Sequence, residues 1–264
     1  LLNNIVFDDA LENGELSGYK VLLLSNTGCL SQKAMNNVED WVAQGGTLVA
    51  TYETSLYDEW GARRQDFGLS ELLGIHYVES VEEEEYVDSS RDKKNIAQLR
   101  ERSLWLEDPS LNCGLGNATF YGSYVRFEPV AEDLETIVRT LSQPLPQSLM
   151  FNQGTKLGPE RAEVVQRVYG KGKVIYFATD IGLAYFHWPE KNTRIILSNL
   201  IQRSTRPPLE VEAPTIVITA ARVQPQHQRL VVHLLNLPHT SVRATNFDQR
   251  LTIDEVIPIH DISI

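Results

Sequence analysis

Residues 19–51 restrict the possible folds more than any other part of the sequence, because two apolar runs flank an amphipathic segment. Residues 19–25 and 47–51 are almost continuously apolar. Short runs of this kind predict strands that are covered on both faces, as in a parallel sheet. The segment between them is long enough for one helix, so the three parts predict a right-handed βαβ unit.

Local signals mark both ends of the helix in this unit. Ser31 is a suitable N-cap, and the pair Gly45-Gly46 is typical of a helix end. The apolar residues between them follow at helical spacing, which predicts that one face packs on the sheet. These residues are Ala34, Val38, Trp41 and Val42. Residues 4–8 predict one further strand of the same sheet.

The second half of the chain contains two kinds of pattern. Residues 163–178 form two β-rich runs around a glycine turn, which predicts a hairpin, and residues 192–203 carry one apolar stripe, which predicts a helix. The prolines at 207 and 208 mark a boundary, beyond which every apolar run predicts a strand. We therefore predict an α/β domain over residues 1–206, with a flavodoxin-like, mostly parallel sheet and helices on both faces. A small antiparallel β module follows over residues 207–264.

Composition excludes several classes of protein. The chain has 264 residues, and 24 Lys and Arg stand against 35 Asp and Glu, giving a net charge of −11. This balance argues against a nucleic-acid binder and against a polybasic membrane anchor. No apolar stretch approaches the roughly 20 residues of a membrane helix. The sequence contains neither a secretory signal nor a zinc motif, so we expect no metal and no cofactor, and we favour a cytoplasmic location.

The carboxyl ends of the predicted parallel strands are where chemistry is expected, because ligands bind at this edge of doubly wound sheets. A nucleophile can stand at a tight turn after a strand, and here Glu53 occupies the predicted apex. Glu53 is neither a thiol nor a hydroxyl, so nucleophilic acyl transfer lacks its central residue. Paired carboxylates remain an alternative, using Glu53 with Asp58, Glu59 or Asp180. The structural alternative is a buried Glu53 that is hydrogen-bonded to backbone amides.

Aromatic residues form a second group of candidates. The sequence 185–188 reads Tyr-Phe-His-Trp, and Trp60 stands in the loop after the second predicted strand. Such side chains can stack on a sugar, but they more often pack a loop or a subunit interface. The candidate substrate-binding residues are Trp60, Tyr185, His187 and Trp188.

Three segments together resemble a known family. They are residues 16–26, with the run Tyr-Lys-Val-Leu-Leu-Leu-Ser-Asn, residues 38–46, with Trp-Val and a final Gly-Gly, and residues 48–54, Leu-Val-Ala-Thr-Tyr-Glu-Thr. These segments resemble the beta-galactosidase trimerisation-type domain, of the class I glutamine amidotransferase-like superfamily. Residues 58–74 and 169–177 are similar to its later segments. Residues 231–236 are similar to the C-terminal β module of many glycoside-hydrolase-like proteins.

This resemblance implies an amidotransferase-like fold and an accessory role. In the family the domain usually follows a hydrolase barrel, is noncatalytic, builds trimers and can border the sugar site of a neighbouring subunit. We therefore expect a homo-oligomer and contact with an upstream barrel of a glycoside hydrolase. Amidotransferases of this fold carry a cysteine at the elbow, where this chain has Glu53, so that activity is expected to be absent. We also expect that part of the N-terminal strand and helix is missing, and that the β module continues past Ile264. A stand-alone hydrolase and a carbohydrate-binding module remain the alternatives.

Overall fold

The computed structural model describes residues 4–82, 102–113, 118–141, 159–187, 191–205, 209–214, 217–236 and 258–264. The chain divides into two compact units, Val6–Thr205 on the one hand and Leu1–Ile5 with Arg206–Ile264 on the other. Five α-helices lie within the described residues: α1 (Asp8–Glu12), α2 (Gln32–Ala43), α3 (Ser70–Leu73), α4 (Ile181–His187) and α5 (Lys191–Ser204). The strands are β1 (Val21–Ser25), β2 (Thr47–Thr51), β3 (Ile75–Val81), β4 (Arg102–Leu106), β5 (Ala118–Phe120), β6 (Tyr124–Pro129), β7 (Glu135–Leu141), β8 (Pro159–Tyr169), β9 (Gly172–Phe177), β10 (Val217–Gln224) and β11 (Arg229–Asn236).

The βαβ unit predicted from residues 19–51 is confirmed. Strands β1 and β2 are parallel neighbours, and α2 connects them. Ser31 caps α2 by accepting a hydrogen bond from the amide of Ala34 at 3.2 Å. Val38 and Val42 are completely buried, and burial of each side chain contributes about 1.5–3 kcal/mol. The local sequence pattern is therefore sufficient to define this part of the fold.

The main sheet has seven strands in the order β1-β2-β9-β8-β7-β4-β5. Only the pairings of β2 with β1 and with β9 are parallel, and the other four pairings are antiparallel. The sheet is mixed and strongly curled into a half-barrel. The predicted flavodoxin-like, mostly parallel sheet with helices on both faces is therefore wrong. The prediction fails because β4, β5, β7 and β8 join the sheet by antiparallel pairing instead of through successive strand–helix crossovers.

Three further predictions, at residues 4–8, around Gly170 and at residues 192–203, have different outcomes. The predicted strand at residues 4–8 is wrong, because α1 begins at Asp8 and residues 4–7 carry no strand. Asp8 and Asp9 fall in the first turn of α1, where negative charge is favourable. The predicted hairpin around Gly170 is confirmed as the antiparallel pair β8–β9, and the helix predicted at 192–203 is confirmed as α5.

Alternate residues of β2 belong to two hydrophobic clusters. Leu48 and Ala50 pack in a cluster with α2, whereas Val49 packs in a second cluster with Ile196 and Leu200 of α5. Strand β2 is therefore buried throughout, as its continuous apolar sequence predicts.

Two smaller sheets are formed by antiparallel pairs. Strands β3 and β6 form one of them, and β10 and β11 form the other, within the unit that holds Arg206–Ile264. Strands β10 and β11 overlap the runs predicted at 215–219 and 229–236, while most of the run predicted at 254–259 lies outside the described residues.

Candidate functional site

The carboxyl ends of the three parallel strands meet at one edge of the sheet. Strand β1 is followed by Asn26, β2 by Tyr52, and β9 by the segment that contains Asp180. The Asn26 side chain donates a hydrogen bond to Oδ2 of Asp180 at 2.9 Å, and the Asn26 amide donates to Oγ1 of Thr51 at 2.9 Å. Polar groups from all three strands are therefore brought together where ligands bind in open parallel sheets. We call Asn26, Thr51, Tyr52 and Asp180 the strand-end cluster.

The backbone in the strand-end cluster is strained. Asn26, Tyr52 and Ser55 have φ angles of 50°, 51° and 68°, in the left-handed region that residues other than glycine seldom occupy. The left-handed residue directly after β2 is Tyr52, and Glu53 comes one position later. Backbone strain of this kind is concentrated at functional sites, and two of the three strained residues, Tyr52 and Ser55, lie in the turn after β2.

Tyr52 is held in its protonated form. Its phenol is largely buried, and burial raises its pKa to about 12, with the carboxylates of Glu53, Glu82 and Asp180 acting in the same direction. A hydrogen bond with Ser123 lowers the pKa by less than these effects raise it. At neutral pH Tyr52 is therefore a neutral phenol, which is a poor nucleophile.

Glu53 is bound by neighbouring side chains. Its carboxylate accepts a hydrogen bond from the Tyr57 hydroxyl at 3.2 Å and another from the Ser80 hydroxyl, and Arg63 lies 4.0 Å away. Only 15% of the side chain is exposed. Burial and the adjacent Glu53 carboxylate raise the pKa of Tyr57. Both carboxylate oxygens of Glu53 thus have partners, which are side chains and not the backbone amides of the structural alternative.

The partners of Glu53 extend into a wider network that the sequence analysis missed. Arg63 lies over the ring of Tyr77 at 5.0 Å and donates a hydrogen bond to its hydroxyl, which is also 3.1 Å from the Ser80 hydroxyl. Asp66 accepts from the Tyr77 amide at 2.7 Å and pairs with His76 at 2.6 Å. These residues come from a loop and from β3, and no spacing in the sequence signals that they meet.

The other candidate carboxylates have structural environments. Asp58 accepts hydrogen bonds from the amides of Trp60 and Ala62 at 2.9 and 2.8 Å, and so stabilises the turn between them. Asp180 accepts from the Leu183 amide at 3.2 Å, near the start of α4. Glu59 is exposed. Glu53 and Asp180 act on a common neighbour, because the charge of each raises the pKa of Tyr52.

The aromatic candidates lie on two separate elements. Trp60 is 88% exposed in the turn after β2, and Tyr185 is 37% exposed on α4. His187 ends α4, and its side chain is not among the described ones; Trp188 lies outside the described residues. Trp60 and Tyr185 both follow strands at the carboxyl edge of the sheet.

A second group of charges lies beside the strand-end cluster. Glu163 is completely buried on β8, lies 3.8 Å from Nε of Arg102 and 3.5 Å from Nη2 of Arg161, and accepts a hydrogen bond from Thr179. Both guanidinium groups also lie over the ring of Tyr124, at 4.5 and 4.2 Å. Burial opposes ionisation of Tyr124, but the hydrogen bond and charge of Arg161 hold the pKa of this phenol below its usual value. We call these five residues the buried ionic cluster.

Two further features of the described residues concern metal ions and membranes. No three His, Cys, Asp or Glu side chains come together there in a way that could hold a metal ion. Within the same residues, every helix is too short or too polar to cross a membrane.

The N-terminal region of the chain is similar to a known domain family. The family model of the beta-galactosidase trimerisation domain matches residues 3–123. That match includes β1, α2, β2 and the turn that holds Tyr52 and Glu53. No curated protein matches the chain.

Solved glycoside hydrolases share the fold. The beta-galactosidase from Bacillus circulans sp. alkalophilus is 18% identical with a TM-score of 0.58, covering 84% of this chain and 27% of that protein. The cold-adapted beta-galactosidase from Rahnella sp. R3 is 18% identical with a TM-score of 0.53, covering 78% and 26%. Alpha-L-fucosidase isoenzyme 2 from Paenibacillus thiaminolyticus is 18% identical with a TM-score of 0.55, covering 83% and 30%.

This chain spans 26–30% of the length of those three proteins. The comparisons do not confirm the amidotransferase-like part of the resemblance. Residues 3–123 are similar to the trimerisation domain of beta-galactosidases.

Proposed function

We propose that this chain is a noncatalytic accessory and oligomerisation domain of a beta-galactosidase-like glycoside hydrolase. The observation that carries the proposal is the match of residues 3–123 to the beta-galactosidase trimerisation domain. In this proposal, residues 1–206 form the accessory domain and residues 207–264 form an appended β module. Its partners are further copies of the same protein and an upstream hydrolase barrel.

The chemistry of the strand-end cluster supports a noncatalytic role. The strained position after β2 holds Tyr52, a phenol whose pKa is raised to about 12 by burial and by nearby carboxylates. Glu53, the next residue, is already bound by Tyr57 and Ser80. A catalytic nucleophile needs a low pKa or an adjacent base, and a catalytic carboxylate needs access to substrate. Neither residue meets these requirements.

Exposed apolar side chains at the carboxyl edge supply a surface for assembly. Trp60 is 88% exposed after β2, and Leu183 is 52% exposed on α4. Aromatic side chains are enriched where protein subunits meet. We infer that the loops at this edge contact a neighbouring subunit or the hydrolase barrel, over roughly 800 Å² or more per partner if the contact is stable.

Light scattering tests this proposal. The mass of the chain should be measured alone and with the upstream hydrolase domain, at concentrations up to high micromolar, and at least one form should exceed the mass of a monomer. Trp60→Glu should weaken the association, while Val168→Glu, at a 64% exposed site on β8, should not. If both forms remain monomeric, the oligomerisation role is wrong.

Carbohydrate binding is the second candidate, and the exposure of Trp60 is the observation that favours it. An exposed indole can stack on a sugar, and Tyr57 and Arg63 flank its turn with groups that can hydrogen-bond to hydroxyls. Titration calorimetry with galactose and lactose tests this alternative. Binding that is lost in Trp60→Ala would favour it, whereas absence of heat at millimolar sugar would reject it.

A further inference from the structure

The turn that carries Trp60 is ordered at its tip by local hydrogen bonds. It runs from Tyr57 to Arg63, which pair as an antiparallel bridge, and we call it the Trp60 turn. The Asp58 amide donates a hydrogen bond to the Ala62 carbonyl at 2.9 Å. The Asp58 carboxylate accepts from the amides of Trp60 and Ala62. The shape of the tip therefore depends on contacts between residues that are close in sequence.

The base of the Trp60 turn is joined to the loop after β1. The Tyr57 amide donates a hydrogen bond to the Gly28 carbonyl at 2.9 Å, and the Tyr57 carbonyl accepts one from the Leu30 amide at 3.2 Å. The Ser55 amide donates to the Thr27 carbonyl at 3.0 Å. These bonds connect loops that follow two different strands. The position of the turn therefore depends on what holds the two loops together.

Arg64, directly after the turn, binds both loops at once. Its Nη2 donates a hydrogen bond to the Leu30 carbonyl at 2.9 Å. Its Nη1 donates to the Ser55 carbonyl at 3.2 Å and to the Tyr57 carbonyl. Hydrogen bonds from an ionised donor are stronger than neutral ones, and the planar guanidinium presents its donors in a fixed arrangement. One half-buried side chain thus fixes the loop after β1 to the segment that leads into the Trp60 turn.

An ordered turn favours binding at its tip, where Trp60 is 88% exposed. A mobile loop loses conformational freedom when it binds, and this loss weakens affinity, whereas a loop that is already ordered avoids it. We propose that Arg64 is the positioning residue of the Trp60 turn. It orders the turn before a protein partner binds at Trp60, and it strengthens that binding without contacting the partner. This inference rests on the proposed function, in which the carboxyl-edge loops form the assembly contact.

Amide hydrogen exchange tests whether Arg64 orders the turn. The full chain is measured by mass spectrometry at low micromolar concentration, and peptides that cover residues 55–64 are followed. Arg64→Gln removes three charged hydrogen bonds and should speed exchange in these peptides about tenfold or more. Arg64→Lys keeps the charge without the planar fork, so its effect should be smaller. Unchanged exchange in Arg64→Gln would overturn the proposal.

Arg167→Gln is the matched control for this measurement. Arg167 donates a hydrogen bond to the Glu71 carbonyl at 2.9 Å and pairs with Asp133, so its loss also removes charged contacts from the fold. It lies opposite Val174, away from the carboxyl end of β9. Exchange of residues 55–64 should therefore be unchanged in this variant. An equal increase in both variants would show a general loss of stability and would overturn the positioning role.

A double-mutant cycle tests whether Arg64 acts through Trp60. Association is measured by sedimentation velocity for the full chain and for the form that includes the upstream hydrolase domain. Trp60→Ala should weaken association about tenfold or more, and Arg64→Gln about threefold to tenfold. Arg64→Gln should cause no further loss when Trp60→Ala is already present, because the turn then carries no anchor. A fully additive loss would overturn the proposal, since a general structural effect acts in either background.

The outcomes separate this inference from the proposed function. Association that needs Trp60 but not Arg64 would overturn the positioning role and leave the proposed function in place. If no form associates, the proposed function is wrong, and the assembly role of Arg64 is wrong with it. Lactose binding that both Trp60→Ala and Arg64→Gln abolish, without any association, would show that the turn serves a sugar and would overturn the protein partner.

Discussion

The Asn26 side-chain amide donates a hydrogen bond of 2.9 Å to the Asp180 carboxylate, although the two residues are 154 positions apart. This bond joins the end of β1 to the segment after β9, across the end of β2. Asp180 also accepts a hydrogen bond from the Leu183 amide, so the same carboxylate links α4 to the strand ends. The pair therefore holds together the loops that form the strand-end cluster.

Replacement of Asn26 should separate its two contributions to stability. Asn26→Ala removes the hydrogen bond to Asp180 and places a residue with a Cβ at a φ of 50°. Asn26→Gly removes the same bond but tolerates this backbone conformation. We expect losses of about 1–3 kcal/mol for Asn26→Ala and a smaller loss for Asn26→Gly, measured by urea unfolding. Equal losses would show that backbone conformation contributes nothing here.

The sequence was informative where the structure depends on local patterns. The β1–α2–β2 unit and the β8–β9 hairpin follow from runs, caps and glycine turns within a few residues of each other. The overall sheet was predicted wrongly because strand direction depends on distant partners. Strand β7 pairs with β4 and β8, and neither partner is marked in its sequence. A strand in the middle of a parallel sheet and one in a curled antiparallel sheet have similar apolar patterns.

The site was less accessible to sequence analysis than the fold. The sequence predicts the turn after β2 as a candidate site, but it does not signal that Tyr52 adopts the left-handed conformation, since tyrosine does not favour it. The buried ionic cluster was not predicted. Its members Arg102 and Glu163 are 61 positions apart by number and become neighbours only when the sheet forms. Local residue spacing contains no information about such a contact.

Loss of the buried carboxylate should destabilise the fold strongly. Glu163 is completely buried between Arg102 and Arg161, so Glu163→Ala leaves two guanidinium groups without their shared counter-charge. We expect a loss of about 3–5 kcal/mol in the free energy of unfolding. Glu160→Ala, at an exposed position of the same strand, is the matched control and should change stability by no more than about 0.5 kcal/mol. Similar losses in both variants would contradict a role for the cluster.

The raised pKa of Tyr52 should make stability decline at alkaline pH. Folding raises the pKa of this phenol from 10.0 to about 12. Between these values the unfolded chain releases its proton before the folded chain does, so rising pH favours unfolding. Tyr52→Phe should therefore reduce the slope of this decline above pH 10, as measured by urea unfolding at several pH values. An unchanged slope in Tyr52→Phe would contradict the raised pKa of Tyr52.

Strand β9 requires glycine at its first position for reasons of space. A Cβ at Gly172 would lie 2.0 Å from the carbonyl oxygen of Val42 and 2.3 Å from that of Gly46. Both contacts are with backbone atoms, so the clash is removed only if α2 or the backbone directly before β2 moves. We expect Gly172→Ala to lower the free energy of unfolding by about 3 kcal/mol. Gly18→Ala, where no atom lies within 4 Å of the new Cβ, is the control and should have little effect.

The final prediction concerns the turn after β2, where the amidotransferase-like resemblance of the sequence, which the comparisons do not confirm, would place a cysteine. We expect the chain not to hydrolyse glutamine, because neither the protonated Tyr52 phenol nor the engaged Glu53 carboxylate can form the thioester of that reaction. Tyr52→Cys and Glu53→Cys should both remain inactive, since a thiol also needs a positioned base. Ammonia release from glutamine by the purified chain is the measurement, with an active glutaminase as the positive control. Release that is lost in Glu53→Ala would overturn the noncatalytic proposal.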